Sequence, residues 1–250
     1  MKISNNDLLR YSRQIILKDV GILGQKKISH AKILIVGMGG LGCPVALYLS
    51  NLGIKNIGIV DYDKVDFSNL NRQILFNTKD IGKFKVIQAK KFLQKVNKKI
   101  KINVYKVKII KKNVQKILNK YDIICDCSDN FTTRYLLNDF CVKKKKILIS
   151  SAISKFEAHV FNFNFTQNIP CYRCFMPEIP DVENNCDTEG ILPTVAGIAG
   201  TLQANEVIKS ILLKKNELVG KMIFFNTLNL DFRKIKLTKS INCINDCNKR

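Results

Sequence analysis

Gly37, Gly39 and Gly42 fall between an apolar run at residues 31–36 and a helix-like segment that Pro44 helps to start. Glycines at that spacing let the backbone approach a phosphate, and the N–H groups that open the following helix point at the anion. Asp61, at the end of the next apolar run (56–61), suits the hydroxyls of a ribose. Together these residues mark a nucleotide site, and by themselves they suit NAD or FAD as well as ATP. They do not make a P-loop, because Cys43-Pro44 stands where that loop needs Lys followed by Ser or Thr.

The cysteines offer a second chemistry. Cys171 and Cys174 have the spacing of a metal knuckle, and Cys243 and Cys247 supply a second pair with three residues between. Four thiolates suit a closed tetrahedral zinc site, structural because no position is left for substrate or water. Cys186 lies in a stretch with Pro177, Pro180 and Gly190, expected to be an exposed loop. Its acidic neighbours Asp181, Glu183, Asp187 and Glu189 would raise a thiol pKa. Cys43, Cys125, Cys127 and Cys141 fall inside expected helices and strands, where a free cysteine behaves as a small apolar residue. His30 and His159 carry no catalytic signature.

The segment after Asp61 narrows the nucleotide. It reads Asp-Tyr-Asp-Lys-Val-Asp-Phe-Ser-Asn-Leu-Asn-Arg-Gln over 61–73, followed by Gly82-Lys83-Phe84-Lys85. With Arg10-Tyr11-Ser12-Arg13-Gln14 and Asp126-Cys127-Ser128-Asp129-Asn130, it resembles the ATP-site motifs of the ThiF/MoeB/HesA adenylyltransferases, bacterial relatives of ubiquitin-activating enzymes. The resemblance extends over essentially the whole chain. It implies that Gly37, Gly39, Gly40 and Gly42 line an adenylate site, and that Asp61, with Asp63 beside it, holds the ribose. Asn69, Arg72 and Lys85 then face the phosphates, and Asp129 corresponds to the Mg2+-binding, catalytic aspartate. Arg13 corresponds to an arginine that reaches into the partner subunit's site of a homodimer. Cys186 corresponds to a loop cysteine that captures the activated carrier in some members. The substrate implied is a ubiquitin-like sulfur-carrier protein ending in Gly-Gly, of the thiamine or molybdopterin type, and the family has a structural zinc site built from four cysteines.

The chemistry has its own physical logic. A carboxylate that attacks the α-phosphate of ATP brings an anion to a polyanion, so fixed cations and a Mg2+ must offset the repulsion. No general base is needed, because a carboxylate is already ionised at neutral pH. Two alternatives stay open: a tRNA-modifying relative of the family, and an NAD-dependent oxidoreductase. The second would leave Arg13, Arg72, Lys85 and Asp129 without work.

These residues need elements to place them. Ser4 followed by Asp7 is a capping-box pattern, predicting a helix that ends before Gly21 with Leu8, Leu9, Ser12, Ile15 and Ile16 on one face. Strands are expected at 31–36, 56–61, 102–107, 121–127 and 147–151, and helices at 44–52, 83–96, 114–118 and 132–142. That alternation predicts an α/β, Rossmann-like, doubly wound, mostly parallel sheet covered on both faces. Beyond residue 152 the pattern becomes an α+β half with antiparallel strands, extended at 157–165 and 222–236 around one helix at 194–213. With no repeat or linker, one domain over 1–250 is expected, 1–152 holding nucleotide and 153–250 the carrier and zinc.

Composition bounds the partners. The formal charge of +22 over 250 residues favours an acidic protein partner, and nucleic acid is disfavoured because no aromatic residues interleave the lysine runs at 98–99, 111–112 and 143–146. No stretch is apolar enough for a membrane span or secretory leader, so a cytoplasmic chain is expected. Nine cysteines without an export signal suit a reducing compartment. The chain stops soon after Cys247 with no rhodanese-like extension, so the sulfur is expected from a separate donor.

Overall fold

The structure is a computed structural model that describes residues 4–179 and 190–247. The run Lys-Ile-Leu-Ile-Val forms β1 (Lys32–Val36), and its alternation explains why it is apolar throughout. Ile33 and Ile35 point into one core, Leu34 and Val36 into another on the opposite face. A strand buried on both sides has no polar face to show.

β2 (Asn56–Val60), β3 (Lys101–Tyr105), β4 (Ile123–Asp126) and β5 (Ile147–Ser154) follow, joined to β1 in parallel. Three antiparallel strands extend the sheet: β6 (Glu157–Asn164), β7 (Lys221–Asn226) and β8 (Asp231–Lys236). The order is β3-β2-β1-β4-β5-β6-β7-β8. This is the expected doubly wound, mostly parallel sheet with an antiparallel C-terminal part. Reversal between β1 and β4 opens a crevice at the carboxyl ends of the strands, the usual ligand position in such sheets.

Helices fill both faces. α1 (Asn5–Arg10), α2 (Ser12–Ile15) and α3 (Gly21–His30) precede β1; α4 (Gly42–Asn51), α5 (Lys85–Val96), α6 (Val114–Leu118) and α7 (Phe131–Lys143) alternate with strands. α8 (Tyr172–Phe175) and α9 (Pro193–Leu212) complete them. α4, α5 and α9 bury Val45, Leu49, Val86, Leu93, Val195 and Val207 on one face, while α6 and α7 bury Ile117, Leu118, Leu137 and Cys141 on the other. None of the described helices is long and apolar enough to cross a membrane.

Three expectations are corrected. The N-terminal helix breaks at Tyr11, and its apolar face is not buried within this chain: Leu9 is 76% exposed and Ile16 74%. Tyr11 is buried instead, beneath Gly53, while Asp7 takes Lys99 at 2.8 Å and leaves the capping box half made. α3 departs from the sequence pattern, in which Gly21 reads as the end of a helix. Gly21 supplies the left-handed turn (φ 54°) that starts α3, and a Cβ on Gly24 would meet Leu212 of α9 at 2.9 Å. The extended segment 222–236 is a hairpin. Asn226 and Asn229 accept the N–H groups of Leu228 and Asp231 through their side chains, and these Asx turns reverse the chain.

Candidate active site

A cavity of about 460 Å³ opens at the carboxyl ends of the parallel strands. Its floor is the turn between β1 and α4. Gly37 has φ 95°, and a Cβ there would lie 2.5 Å from the carbonyl of Cys127. Gly39 and Gly40 line the cavity. Gly42 does not line it. A Cβ on Gly42 would lie 1.9 Å from the carbonyl of Gly37, so its task is the close packing of turn against helix.

Asp61 ends β2 and reaches under the turn, where its two oxygens accept the N–H groups of Met38 (2.7 Å) and Asp63 (2.8 Å). It holds the turn in shape while lining the cavity. Burial pushes its carboxyl above the ordinary range, and Lys85 and the two N–H donors offset part of that. Lys85, the first residue of α5, is buried and turns its ammonium to Asp63 at 3.1 Å. Its own N–H donates to the Asp63 carbonyl, so strand end and helix start are locked together.

Asp66 caps a short 3-10 turn, Phe67–Asn69, through Ser68 N–H, and this turn delivers Asn69, Arg72 and Gln73 over the glycines. The alkyl stem of Arg72 lies 3.3 Å from where a Cβ of Gly40 would sit. Its guanidinium donates to the Ser68 carbonyl and the Asn71 side chain, both at 3.2 Å. Asp129, exposed on the loop after β4, also lines the cavity, with the Asn130 amide 3.4 Å away. Asn130 is the N-cap of α7 and accepts the Thr133 N–H.

The structure thus gathers Gly37, Gly39, Gly40, Asp61, Asp63, Asn69, Arg72, Lys85 and Asp129 around one cavity. Arg13 is outside it, exposed on α2. Cys186 lies outside the described residues. Asp129 offers a hard carboxylate oxygen at the cavity surface, chemically suited to Mg2+.

Sequence reasoning missed what fixes the Asp129 loop. Arg134 of α7 donates to Asp126 Oδ2 (3.1 Å) and to the carbonyls of Ser128 (3.0 Å) and Ser151 (2.8 Å), and its ring neighbour is Tyr172. Asp126 is fully buried and also accepts from the hydroxyls of Ser128 and Ser150. An aspartate closing an otherwise apolar strand is the signal that a buried cation must face it. Gln73, Lys108, Asn130 and His159 also line the cavity, and the sequence pattern assigns them no role there.

The four cysteines meet on the other core. Sγ atoms of Cys171, Cys174, Cys243 and Cys247 all lie within 4.8 Å of one another, with Cys243 3.6 Å from both Cys171 and Cys247. A tetrahedral site with zinc–sulfur bonds of about 2.3 Å puts sulfurs roughly 3.8 Å apart, so the set fits that ion. Hydrogen bonds from Cys247, and from Asn245 and Cys243, hold the Cys171 thiol well below its usual value against the effect of burial. Asp139 of α7 binds Arg173 through two 2.8 Å bonds and the Asn245 amide at 2.9 Å, tying the tail to α7 and α8. Cys43, Cys125 and Cys141 are buried, and burial pushes the Cys43 thiol up to about 12 and the others higher. Cys127 is buried at the cavity wall.

Curated relatives share this sequence closely. The adenylyltransferase and sulfurtransferase MOCS3 of Culex quinquefasciatus is 42% identical over 246 residues, which cover 97% of this chain and 56% of the relative. The Xenopus laevis protein of the same name is 43% identical over 237 residues, covering 94% and 52%. The chain therefore spans a little over half the length of these relatives. Among solved structures, E. coli MccB with ATP superposes with a TM-score of 0.82 at 25% identity, covering 96% of this chain and 74% of that one. A glycine turn braced by Asp61, cations from two later segments and a mixed sheet matched this widely converge on one assignment. The ThiF family model matches residues 11–245, and the chain belongs to the ThiF family.

Proposed function

We propose that this chain uses ATP to adenylylate the C-terminal glycine carboxylate of a ubiquitin-like sulfur carrier, releasing pyrophosphate, for thiamine or molybdopterin sulfur transfer. The observation that carries the reading is that Arg72, Lys85 and Asp129 line the same cavity as the glycine turn, with the Arg72 stem against Gly40. The names of the curated relatives and the ATP complex of MccB support it.

In this reading the phosphates lie over Gly39 and Gly40, and the Lys85 ammonium is shared between Asp63 and the phosphate oxygens. Asn69 and Arg72 hold the outgoing pyrophosphate. Asp129 would hold Mg2+, which would supply positive charge against the phosphates. The buried Arg134–Asp126 pair keeps the Asp129 loop from yielding as charge shifts, the preorganisation that electrostatic catalysis needs. Arg13 completes the site from the second subunit of a homodimer; the exposed Leu9, Ile16, Leu17, Ile22 and Leu23 around it suit burial by that subunit. Cys171, Cys174, Cys243 and Cys247 would hold a structural zinc, clipping the tail to the second core. The whole acts as one unit in the cytoplasm, residues 1–152 holding nucleotide and 153–250 carrier and metal, with Cys186 available to capture the activated carboxyl.

The test is ATP–pyrophosphate exchange with purified carriers of both types. Exchange that requires a carrier with an intact Gly-Gly end and Mg2+ is expected; absence of exchange with both carriers overturns the reading.

A further inference from the structure

The cavity wall includes residues to which the nucleotide reading gives no role. Beyond Asp129 it continues as an arm along β5, β6 and α8, lined by Ala152, Ser154, Glu157, His159, Phe175 and Met176. His159 is the imidazole on this part of the wall. Its ring lies against Phe161, Phe175 and Phe224, with centroids 6.2, 6.4 and 5.3 Å away, and no hydrogen bond engages its nitrogens among the described residues. The partly buried imidazole, walled by phenyl rings and open to the cavity, offers a ligand a hydrogen-bonding group that no described side chain occupies.

The sheet register says how far His159 stands from the chemistry. It pairs with Ala152 of β5, two residues past Ser150, which is level with Asp126 of β4. His159 is therefore level with Ser128, beside the Asp129 loop, and two strands away. Two strand spacings are about 10 Å, the span of about three extended residues.

Resting on the adenylyltransferase reading, we propose that His159 is the residue that reads the carrier's tail, hydrogen-bonding its backbone about three residues before the reacting carboxyl. The imidazole works uncharged, accepting a peptide N–H of the tail at one nitrogen, an interaction that protonation abolishes. Charged and apolar neighbours set its state. Burial beside the rings of α8 and β7 disfavours the charged form most, Glu157 on the same strand favours it, and Arg134 of α7 disfavours it. The arm thus gives selectivity before the terminal glycines, at a position where a histidine without a partner carries no signal in the sequence.

The test is exchange kinetics with the thiamine-type and molybdopterin-type carriers, comparing wild type, His159→Leu and His159→Gln after each is shown to melt cooperatively. His159→Leu is expected to raise the KM for the carrier about tenfold with kcat and ATP affinity little changed, and His159→Gln, which can still hydrogen-bond, to restore most of it. The wild-type KM should rise as pH falls below the ordinary imidazole range, and the Gln variant should lose that rise. An unchanged KM in His159→Leu, or a loss of ATP affinity in step with it, overturns the proposal while leaving adenylylation standing. If wild type exchanges with neither carrier, the adenylylation reading falls and takes this one with it.

Discussion

The two faces of the sheet are held together in different ways. At the glycine turn, residues close in sequence do the work: Asp61 reaches Met38, Lys85 reaches Asp63, and most bonds are made to backbone. At the thiol cluster, two pairs separated by 72 residues meet, as Cys171 and Cys243 do at 3.6 Å. Beyond β8 the tail has a small apolar contribution, with Ile241 and Ile244 exposed. The turn is thus braced redundantly by a core, whereas the tail hangs on a few side-chain bonds. Changes at the first site should cost activity or local packing, and changes at the second should cost attachment of the tail.

The comparison breaks most sharply at Arg134. Arg134→Met leaves the fully buried Asp126 without its cation and should destabilise the fold by about 3–5 kcal/mol in urea melts. A smaller loss would mean that the serine hydroxyls alone support Asp126. Asp129→Ala should lower ATP–pyrophosphate exchange by about 10²–10³-fold, equivalent to about 3–4 kcal/mol, with the melting temperature held. A variant that unfolds instead would make Asp129 structural.

Cys243→Ser, which removes one of the four clustered thiols, should lower the proposed zinc content and destabilise by about 3 kcal/mol, with nucleotide affinity retained; atomic absorption and calorimetry with an ATP analogue check both halves. Equal loss of ATP affinity would show that the two faces are coupled. Asn245→Ala should cost about 1 kcal/mol, because it removes the amide that bonds both Asp139 and the Cys171 sulfur. The smallest effect is acid sensitivity. Burial raises the Asp139 carboxyl, but Arg173, Asn245 and Asn138 outweigh it and hold it below its ordinary 3.8. Its stabilisation is therefore complete above pH 3.8 and fades as pH falls through the lower folded value. Arg173→Met should flatten that part of the stability profile measured by circular dichroism.

The sequence by itself determined the strands and most helices, because apolar periodicity and turn chemistry are local. β1 to β5 and α4 to α7 stand within a few residues of where the pattern puts them. The motif residues of the cavity were legible for the same reason: each occupies a strand end, a helix start or the turn after it. Tertiary structure alone decided the rest. Whether Leu9 and Ile16 are covered depends on a break at Tyr11 and on Asp7 turning to Lys99. Gly24 belongs to a helix because α9 needs that close approach, and Gly42 packs the turn without facing the cavity. Arg134 and His159 gain their meaning only from β4, β5, β6 and α8 lying side by side. Burial and hydrogen-bond satisfaction are properties of neighbours in space, and a linear pattern records only neighbours along the chain.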